Sequence, residues 1–178
     1  METDNLSLPN FDDIQIQLTD GDAAVLKKYI SEIQPPNCYL EIGTAYGGSA
    51  LWANMSNPNI DIYSVDPNSI LDAFGNRENI GNIHFIKKAS LVAARDFNKP
   101  IGVLFIDGCH DQAQQDFGAW EKYVAPGGYI LFHDYAEHSP KVKQDCLYGI
   151  GQMCENYNVL YTPDMESPTS ILQARKIK

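Results

Sequence analysis

The stretch Tyr39-Leu-Glu-Ile-Gly-Thr-Ala-Tyr-Gly-Gly-Ser-Ala-Leu-Trp52 decides the fold that we predict for this chain. An apolar run ends in Glu41, a glycine-rich turn follows, and a helix is predicted after the turn. In a parallel α/β sheet this succession builds a ligand crevice at the carboxyl end of the first strand. Glycines let the backbone turn tightly and approach a ligand closely. We therefore expect a crevice here, with the Glu41 carboxylate at its mouth as an acceptor.

The spacing of the glycines indicates which cofactor the crevice binds. A dinucleotide-binding fold requires G-x-G-x-x-G, with the pyrophosphate over a helix N-terminus. Here Ala45 stands at the second required position, and an acidic residue precedes the first glycine. A carboxylate repels pyrophosphate but attracts a cation. The pattern therefore favours S-adenosylmethionine (SAM), which carries a sulfonium and an ammonium group and no phosphate.

The pattern Glu-x-Gly-x-x-x-Gly-x-Ser resembles motif I of the class I SAM-dependent methyltransferases. Its form is especially similar to catechol O-methyltransferase and its relatives. The alternative is a glycine-rich turn in an unrelated α/β protein. The resemblance implies that this segment holds SAM through Glu41, Gly43, Thr44, Ala45, Gly47, Gly48 and Ser49.

Length and charge limit the function classes. A chain of 178 residues suits one well-buried domain, which we place at 20–178, after a polar tail or lid at 1–19. The net charge is −10 and only 13 residues are basic, which argues against a nucleic-acid or anionic-membrane partner. No apolar run approaches the roughly 20 residues of a membrane span. We expect a small-molecule partner.

The cysteines and the N-terminus suggest a compartment. The first residues are acidic and polar, unlike a secretory signal, and the four cysteines form no C-x-x-C pair. Two of them, Cys38 and Cys109, fall in or beside predicted parallel strands. We therefore predict reduced thiols and a cytoplasmic protein.

Strand and helix patterns alternate after residue 38, which predicts a Rossmann-like, doubly wound α/β fold. Val142, Cys146, Ile150, Met153 and Tyr157 form an apolar stripe that predicts the last helix. The final two strands are joined by a short connection, which suits an antiparallel hairpin. The family resemblance implies a mostly parallel, seven-stranded sheet in a three-layer α/β/α arrangement.

Two further positions follow predicted strands on the cofactor side. Asp66 ends the second strand, where a carboxylate can accept from both ribose hydroxyls of a nucleoside. The alternative is an aspartate that caps a helix before Pro67. Ser90 follows the third strand, where the family contacts adenine, but it can also simply cap the next helix.

A second constellation lies in Ile106-Asp-Gly-Cys-His-Asp111 and Leu131-Phe-His-Asp-Tyr135. Neighbouring strand ends would bring Asp107, His133 and Asp134 together, with His110 in the adjoining loop. Carboxylates with at most one imidazole suit a divalent ion such as Mg²⁺ or Mn²⁺. The predicted metal ligands are therefore Asp107, His133 and Asp134.

These two runs are similar to the macrocin-type O-methyltransferases and the cephalosporin-hydroxylase-like proteins. In their metal-dependent members an aspartate of the fourth strand and an Asp-Asp or Asp-Asn pair of the fifth hold Mg²⁺. Asp107 matches the first, whereas His133 replaces one member of the pair. That departure could admit Mn²⁺, a weak metal site, or none.

The resemblance implies a catalytic role for Asp107, for Asp134 as ligand or base, and for His110 as general base. Each of these roles has a structural alternative. Asp107 would only support the fold, His110 would only order its loop, and Asp134 would cap a helix or hydrogen-bond a residue that binds the metal. We predict transfer of a methyl group from SAM to a hydroxyl of a small molecule or sugar, with a divalent metal.

Two rival functions stay open. A metal-independent enzyme would methylate N or O through His110 and proximity, and a non-catalytic subunit would only bind SAM. Catechol-type enzymes carry extra N-terminal helices over the substrate, whereas about one helix precedes the sheet here. An exposed crevice of this kind would suit a homodimer.

Overall fold

The structure, a computed structural model, describes residues 9–10, 14–137, 140–141, 143 and 156–178. Most of the predicted stripe from Val142 to Met153 lies outside these residues, and its last member, Tyr157, begins a strand. In the described part of the chain, no helix combines the length and the apolar character that crossing a membrane requires.

Eight strands form one mixed sheet in the order β3-β4-β2-β1-β5-β6-β8-β7. The pairs within β4-β2-β1-β5-β6 are parallel, and β3, β8 and β7 pair antiparallel to their neighbours. The strands are β1 (Cys38–Ile42), β2 (Ile62–Val65), β3 (Asn79–Ile80), β4 (Ile83–Ile86), β5 (Ile101–Ile106), β6 (Val124–Phe132), β7 (Tyr157–Tyr161) and β8 (Leu172–Lys176).

The predicted fold class is confirmed, including the antiparallel pair at the C-terminal end. The sheet has eight strands instead of seven because the two-residue β3 pairs with β4 at the edge. Central strands β1 and β5 are buried at every position, as expected for parallel strands that are covered on both faces.

Within the described residues, four helices with defined bounds cover the two faces of the sheet: α1 (Asp20–Ser31), α2 (Gly48–Ser56), α3 (Ser90–Asp96) and α4 (Ala113–Trp120). Leu26 of α1 and Leu51 of α2 belong to the apolar cluster on one face. Ala93 of α3 and Trp120 of α4 belong to the cluster on the other face. The molecule therefore has three layers, helix, sheet and helix.

A local signal explains where the first helix begins. Thr19 caps α1: its hydroxyl accepts from the Asp22 backbone N–H, while the Asp22 carboxylate accepts from the Thr19 backbone N–H. The sequence pattern of residues 69–74 predicts a helix, and that prediction is wrong, since only a 3₁₀ turn forms at Asp72–Phe74. The Ile70 N–H instead donates to the Ala45 carbonyl, which ties this loop to the glycine-rich turn.

Candidate functional site

The carboxyl ends of the central strands continue their hydrogen-bond ladders for one residue and thereby place the site. Gly43 N–H donates to the Val65 carbonyl, Asp107 N–H to Ile42, and His133 N–H to Ile106. A cavity of about 570 Å³ opens at this edge, beside the point where strand order reverses. Gly43, Ala45, Asp66, Ala89, Ser90, Asp107, Gln112, Asp116, His133 and Asp134 are among its lining residues.

Asp66 organises the glycine-rich turn as well as lining the cavity. Its Oδ2 accepts from the backbone N–H groups of Thr44, at 3.1 Å, and Ala45, at 3.2 Å. Ala45 has a φ of 43°, which is uncommon for a residue with a Cβ. The Asp66 contact offsets part of the strain at Ala45 and couples the turn to the end of β2.

The other residues of the turn that we predicted to bind the cofactor lie deeper than Gly43 and Ala45, or on the far side of the turn. Gly47 caps α2 with a φ of 81° and is buried, and Gly48 begins that helix. Gly48, Ser49 and Thr44 line a smaller cavity that shares Gly43, Ala45 and Asp107 with the large one. Residues 14–18 of the predicted tail or lid pass close to this turn, and Gln17 lines both cavities.

The expectation that Glu41 stands at the crevice mouth is wrong, because its side chain is fully buried. Its carboxyl group accepts from the hydroxyls of Tyr39, at 2.8 Å, and Ser64, at 2.6 Å. Burial raises the pKa of Glu41 to about 7, although hydrogen bonds from Ser64, Tyr39 and Ser49 oppose the shift. Glu41 therefore supports β1 and β2 beneath the cavity.

This burial predicts a pH dependence of stability. The pKa of Glu41 is about 7 in the folded state, against an ordinary 4.5, so its stabilising contribution is complete below pH 4.5 and is lost as pH rises through 7. Between pH 5 and 8 the wild-type free energy of unfolding should fall by about 2 to 3 kcal/mol relative to Glu41→Gln. Urea unfolding of both proteins across this range measures the difference, and parallel pH profiles would contradict it.

Asp107, His110 and Asp134 meet at one side of the cavity. Each offers a ligand atom, and the three atoms lie within 4.8 Å of one another. His110 Nε2 lies 3.3 Å from Asp134 Oδ2, and both side chains are partly exposed. Burial raises the pKa of Asp107, against the opposing charge of the His133 imidazole. Asp134 holds a φ of 51°, a strained conformation typical of functional positions.

His133 turns away from the solvent side of the cavity. Its Nδ1 lies 2.8 Å from Asp107 Oδ1 and 3.2 Å from Asp134 Oδ1, and its Nε2 lies 3.5 Å from Asp22 Oδ2. Burial opposes the positive charge of His133, but these three carboxylates outweigh it and hold its pKa far above the ordinary value. The cluster of converging ligand atoms contains His110 where the sequence pattern suggested His133.

Asp22 connects this site to α1 and to the chain before β8. Its Oδ1 accepts from the Thr169 hydroxyl, at 2.7 Å, and from the Ser170 backbone N–H, at 2.9 Å. Burial disfavours its charge, yet His133, Thr19, Thr169 and Ser170 together hold the pKa of Asp22 well below its usual range. The run Thr19-Asp20-Gly21-Asp22 by itself predicts only the capped start of a helix, because the other partners of Asp22 are distant in the chain.

Against this geometry, comparison with known proteins identifies the family. Residues 40–135, more than half of the chain, match a family described as a methyltransferase domain. The chain belongs to this family. An uncharacterised protein of Acanthamoeba polyphaga mimivirus is 36% identical over 125 residues, which are 58% of this chain and 55% of that protein. The chain thus spans about half the length of this relative.

Solved structures confirm the methyltransferase fold. The O-methyltransferase TomG from Streptomyces achromogenes, solved with SAM, superposes with a TM-score of 0.67 at 14% identity, covering 93% of this chain and 83% of TomG. An O-methyltransferase from Bacillus cereus, solved with S-adenosylhomocysteine (SAH), gives 0.64 at 16%, covering 93% and 85%. At 14% and 16% identity, these two likenesses show that the chain has the fold of the two O-methyltransferases.

Proposed function

We propose that this methyltransferase transfers the methyl group of SAM to a hydroxyl group of a small molecule or sugar. The observation that carries the proposal is the convergence of Asp107, His110 and Asp134 on the cavity that Asp66 and the glycine-rich turn also line. A cofactor pocket and a group of proton acceptors therefore share one space, as a methyl transfer between two bound molecules requires.

The residues account for the proton that the reaction releases. The acceptor oxygen forms a bond to the methyl carbon while the carbon–sulfur bond breaks, and SAH leaves as a neutral thioether. The hydroxyl proton passes to the His110 imidazole, which can accept it on a ring nitrogen. Asp134, 3.3 Å from His110 Nε2, stabilises the imidazolium that results.

The cluster also fits a divalent ion. Asp107, Asp134 and His110 supply two carboxylate oxygens and one imidazole nitrogen, a donor set that suits Mn²⁺ and admits Mg²⁺. We include such an ion in the proposal, with His110 as ligand in place of His133; in that form the hydroxyl proton passes to solvent, because an imidazole that binds the ion cannot accept it. When bound, the ion lowers the pKa of the acceptor hydroxyl and orients it.

A metal-independent reaction is the second candidate, and the position of His133 favours it. Its imidazolium already lies between Asp107 and Asp134, where it neutralises part of the charge that would attract a metal ion. In this version His110 accepts the proton and Asp134 stabilises the resulting imidazolium, without a metal. Dialysis against a chelator separates the versions: turnover that is lost and returns with Mn²⁺ supports the metal, and unchanged turnover supports the dyad.

Cofactor binding is tested by calorimetry with SAM on the wild type and on Asp66→Ala. We expect the variant to bind at least about 100-fold more weakly, because it loses acceptors for the ribose and for the N–H groups of Thr44 and Ala45. Asp61→Ala is the matched control, since Asp61 is exposed at the opposite end of the same strand. A wild type that does not bind SAM would overturn the proposed function.

A labelled methyl group distinguishes an enzyme from a binding subunit. With SAM labelled at the methyl carbon, we expect label to enter catechols or sugars that carry vicinal hydroxyls. A wild type that binds SAM but labels no acceptor, with or without Mn²⁺, would favour the non-catalytic SAM-binding subunit.

A further inference from the structure

A buried carboxylate from α1 supports the acidic cluster from behind. Asp22 is only 1% exposed and lines neither cavity of the site. Its Oδ2 accepts from the Thr19 hydroxyl at 2.6 Å and from the Thr19 backbone N–H at 3.2 Å. Its Oδ1 accepts from Thr169 and Ser170. Asp22 can therefore influence a reaction in the cavity only through the residues that it contacts.

One connection from Asp22 reaches the backbone of Asp134 through Ser170. The Ser170 hydroxyl donates its proton to Asp22 Oδ1 at 3.3 Å, so its oxygen is left to accept from the Asp134 N–H at 3.1 Å. The Ser170 carbonyl also accepts from the Ala136 N–H, at 3.4 Å. Asp134 has a φ of 51°, and a residue keeps such a strained conformation only where its surroundings enforce it. Ser170 therefore holds the chain at Asp134, and Asp22 sets the direction of the Ser170 hydroxyl.

A second connection reaches the Asp134 side chain through the buried ring of His133. The ring Nε2 lies 3.5 Å from Asp22 Oδ2, whereas Nδ1 lies 3.2 Å from Asp134 Oδ1 and 2.8 Å from Asp107 Oδ1. Neither ring nitrogen is aligned for a hydrogen bond, so these contacts are ion pairs. Because Coulomb attraction depends on distance and has little preferred direction, the ring needs a carboxylate at each nitrogen to stay in place.

We propose that Asp22 is a positioning residue of the reaction centre and fixes Asp134 by these two connections. This inference rests on the proposed role of Asp134 in methyl transfer. The cap of α1 involves only Thr19 and Asp22, so it does not account for the contacts of Asp22 with Ser170 and His133. Groups that orient metal-binding side chains from outside typically contribute about 10- to 100-fold to activity or metal affinity.

The first test measures hydrogen exchange at the Asp134 backbone N–H by NMR, and it needs neither SAM nor an acceptor. In Asp22→Asn the side chain keeps its volume, but one of its two oxygens becomes an NH₂ group, so it can no longer accept on both sides. We expect the Asp134 N–H to exchange about 10-fold faster than in the wild type, because its hydrogen bond to Ser170 is loosened.

Two control variants separate this effect from the cap and from the charge. Thr19→Ala removes the cap of α1 but keeps the contacts of Asp22 with Ser170 and His133. It should lower the free energy of unfolding and leave exchange at Asp134 near the wild-type rate. Asp20→Asn, which removes an exposed negative charge from the same turn, should also exchange like the wild type at Asp134.

The second test measures methyl transfer from labelled SAM. Asp22→Asn should lower kcat about 10- to 100-fold and leave KM for SAM within a few-fold, since Asp22 lines neither cavity. In the Asp134→Asn background the same substitution should lower kcat by less than about 3-fold, because the residue that Asp22 positions is already replaced. A residue that only stabilised the fold would lower kcat equally in both backgrounds.

Ser170→Ala keeps the inference testable if Asp22→Asn does not fold. It removes the connection to the Asp134 backbone and leaves α1 and its cap intact. We expect kcat to fall about 10-fold, with KM for SAM unchanged, since the lost hydrogen bond orients Asp134 and touches no cofactor. Circular dichroism and thermal unfolding establish which variants are folded.

The inference fails on any of three results. Exchange at Asp134 that is no faster in Asp22→Asn than in Thr19→Ala would leave Asp22 as a helix cap alone. Equal losses of kcat in the wild-type and Asp134→Asn backgrounds, or full activity of Ser170→Ala, would also overturn it. A wild type that binds SAM but methylates no acceptor would overturn the proposed function, and the exchange rates would then still decide whether Asp22 holds Asp134.

Discussion

Replacement of Asp134 by asparagine should lower kcat for methyl transfer by about 10³-fold while SAM affinity stays nearly unchanged. The reason is that Asp134 contacts both histidines of the site, at 3.3 Å from His110 Nε2 and 3.2 Å from His133 Nδ1. A neutral amide no longer stabilises an imidazolium or holds a divalent ion. General acid–base catalysis typically raises a reaction rate about 10²- to 10⁴-fold, so the loss should be of that order. Steady-state kinetics and SAM calorimetry on the same preparation measure both effects.

Asparagine is the appropriate substitution because of the backbone at this position. Asp134 has a φ of 51°, a conformation that asparagine adopts more readily than alanine. Asp134→Ala would add backbone strain to the loss of charge and would confuse the two effects. Glu137→Gln serves as control, since Glu137 is exposed on the following turn, Tyr135–Glu137. If Asp134→Asn turns over the true substrate at the wild-type rate, Asp134 is not part of the reaction centre.

Gly43→Ala should abolish SAM binding and destabilise the protein by about 2 to 5 kcal/mol. Gly43 has a φ of 100°, and a Cβ there would collide with the backbone carbonyl of Asp107. The strained backbone costs about 1 to 2 kcal/mol, and overpacking against rigid backbone adds about 1 to 3 kcal/mol. Relief of the collision would move Asp107, and with it the acidic cluster. Urea unfolding and SAM calorimetry measure the two effects.

Gly81→Ala separates the cost of backbone strain from the cost of the collision. Gly81 also has a positive φ, of 58°, but a Cβ there would meet no heavy atom within 4 Å. This variant should therefore cost only the backbone strain, about 1 to 2 kcal/mol, and should bind SAM normally. Equal destabilisation by Gly43→Ala and Gly81→Ala would mean that the contact between the turn and Asp107 has no energetic weight.

Much of the fold was predictable because its signals are local. A glycine-rich turn after an apolar strand, and the alternation of strand and helix patterns, identified the parallel core and the edge where ligands bind. The short connection before β8 indicated the antiparallel pair. The two-residue β3 carries no periodic pattern, and the Ser69–Phe74 segment looked helical although its Ile70 N–H is bound to the glycine-rich turn.

The candidate site was predictable in part for the same reason. Asp66 and Asp107 directly follow strands, and Asp134 is the second residue after another. Parallel strands end at one edge, so the proximity of the three follows from topology. Asp116 left no signal that we interpreted, although the structure buries it on the apolar face of α4 beside the cavity.

The sequence by itself determined which backbone can turn at Gly43, which strands are buried on both faces, and which acids stand at their ends. Only the tertiary structure decided what each side chain faces. Glu41 lies under the cavity, because Tyr39 and Ser64 offer it hydroxyls in a space closed to water. His133 turns inward, because α1 brings Asp22 from far along the chain to its second ring nitrogen. Side-chain direction depends on distant packing and charge, which local patterns do not encode.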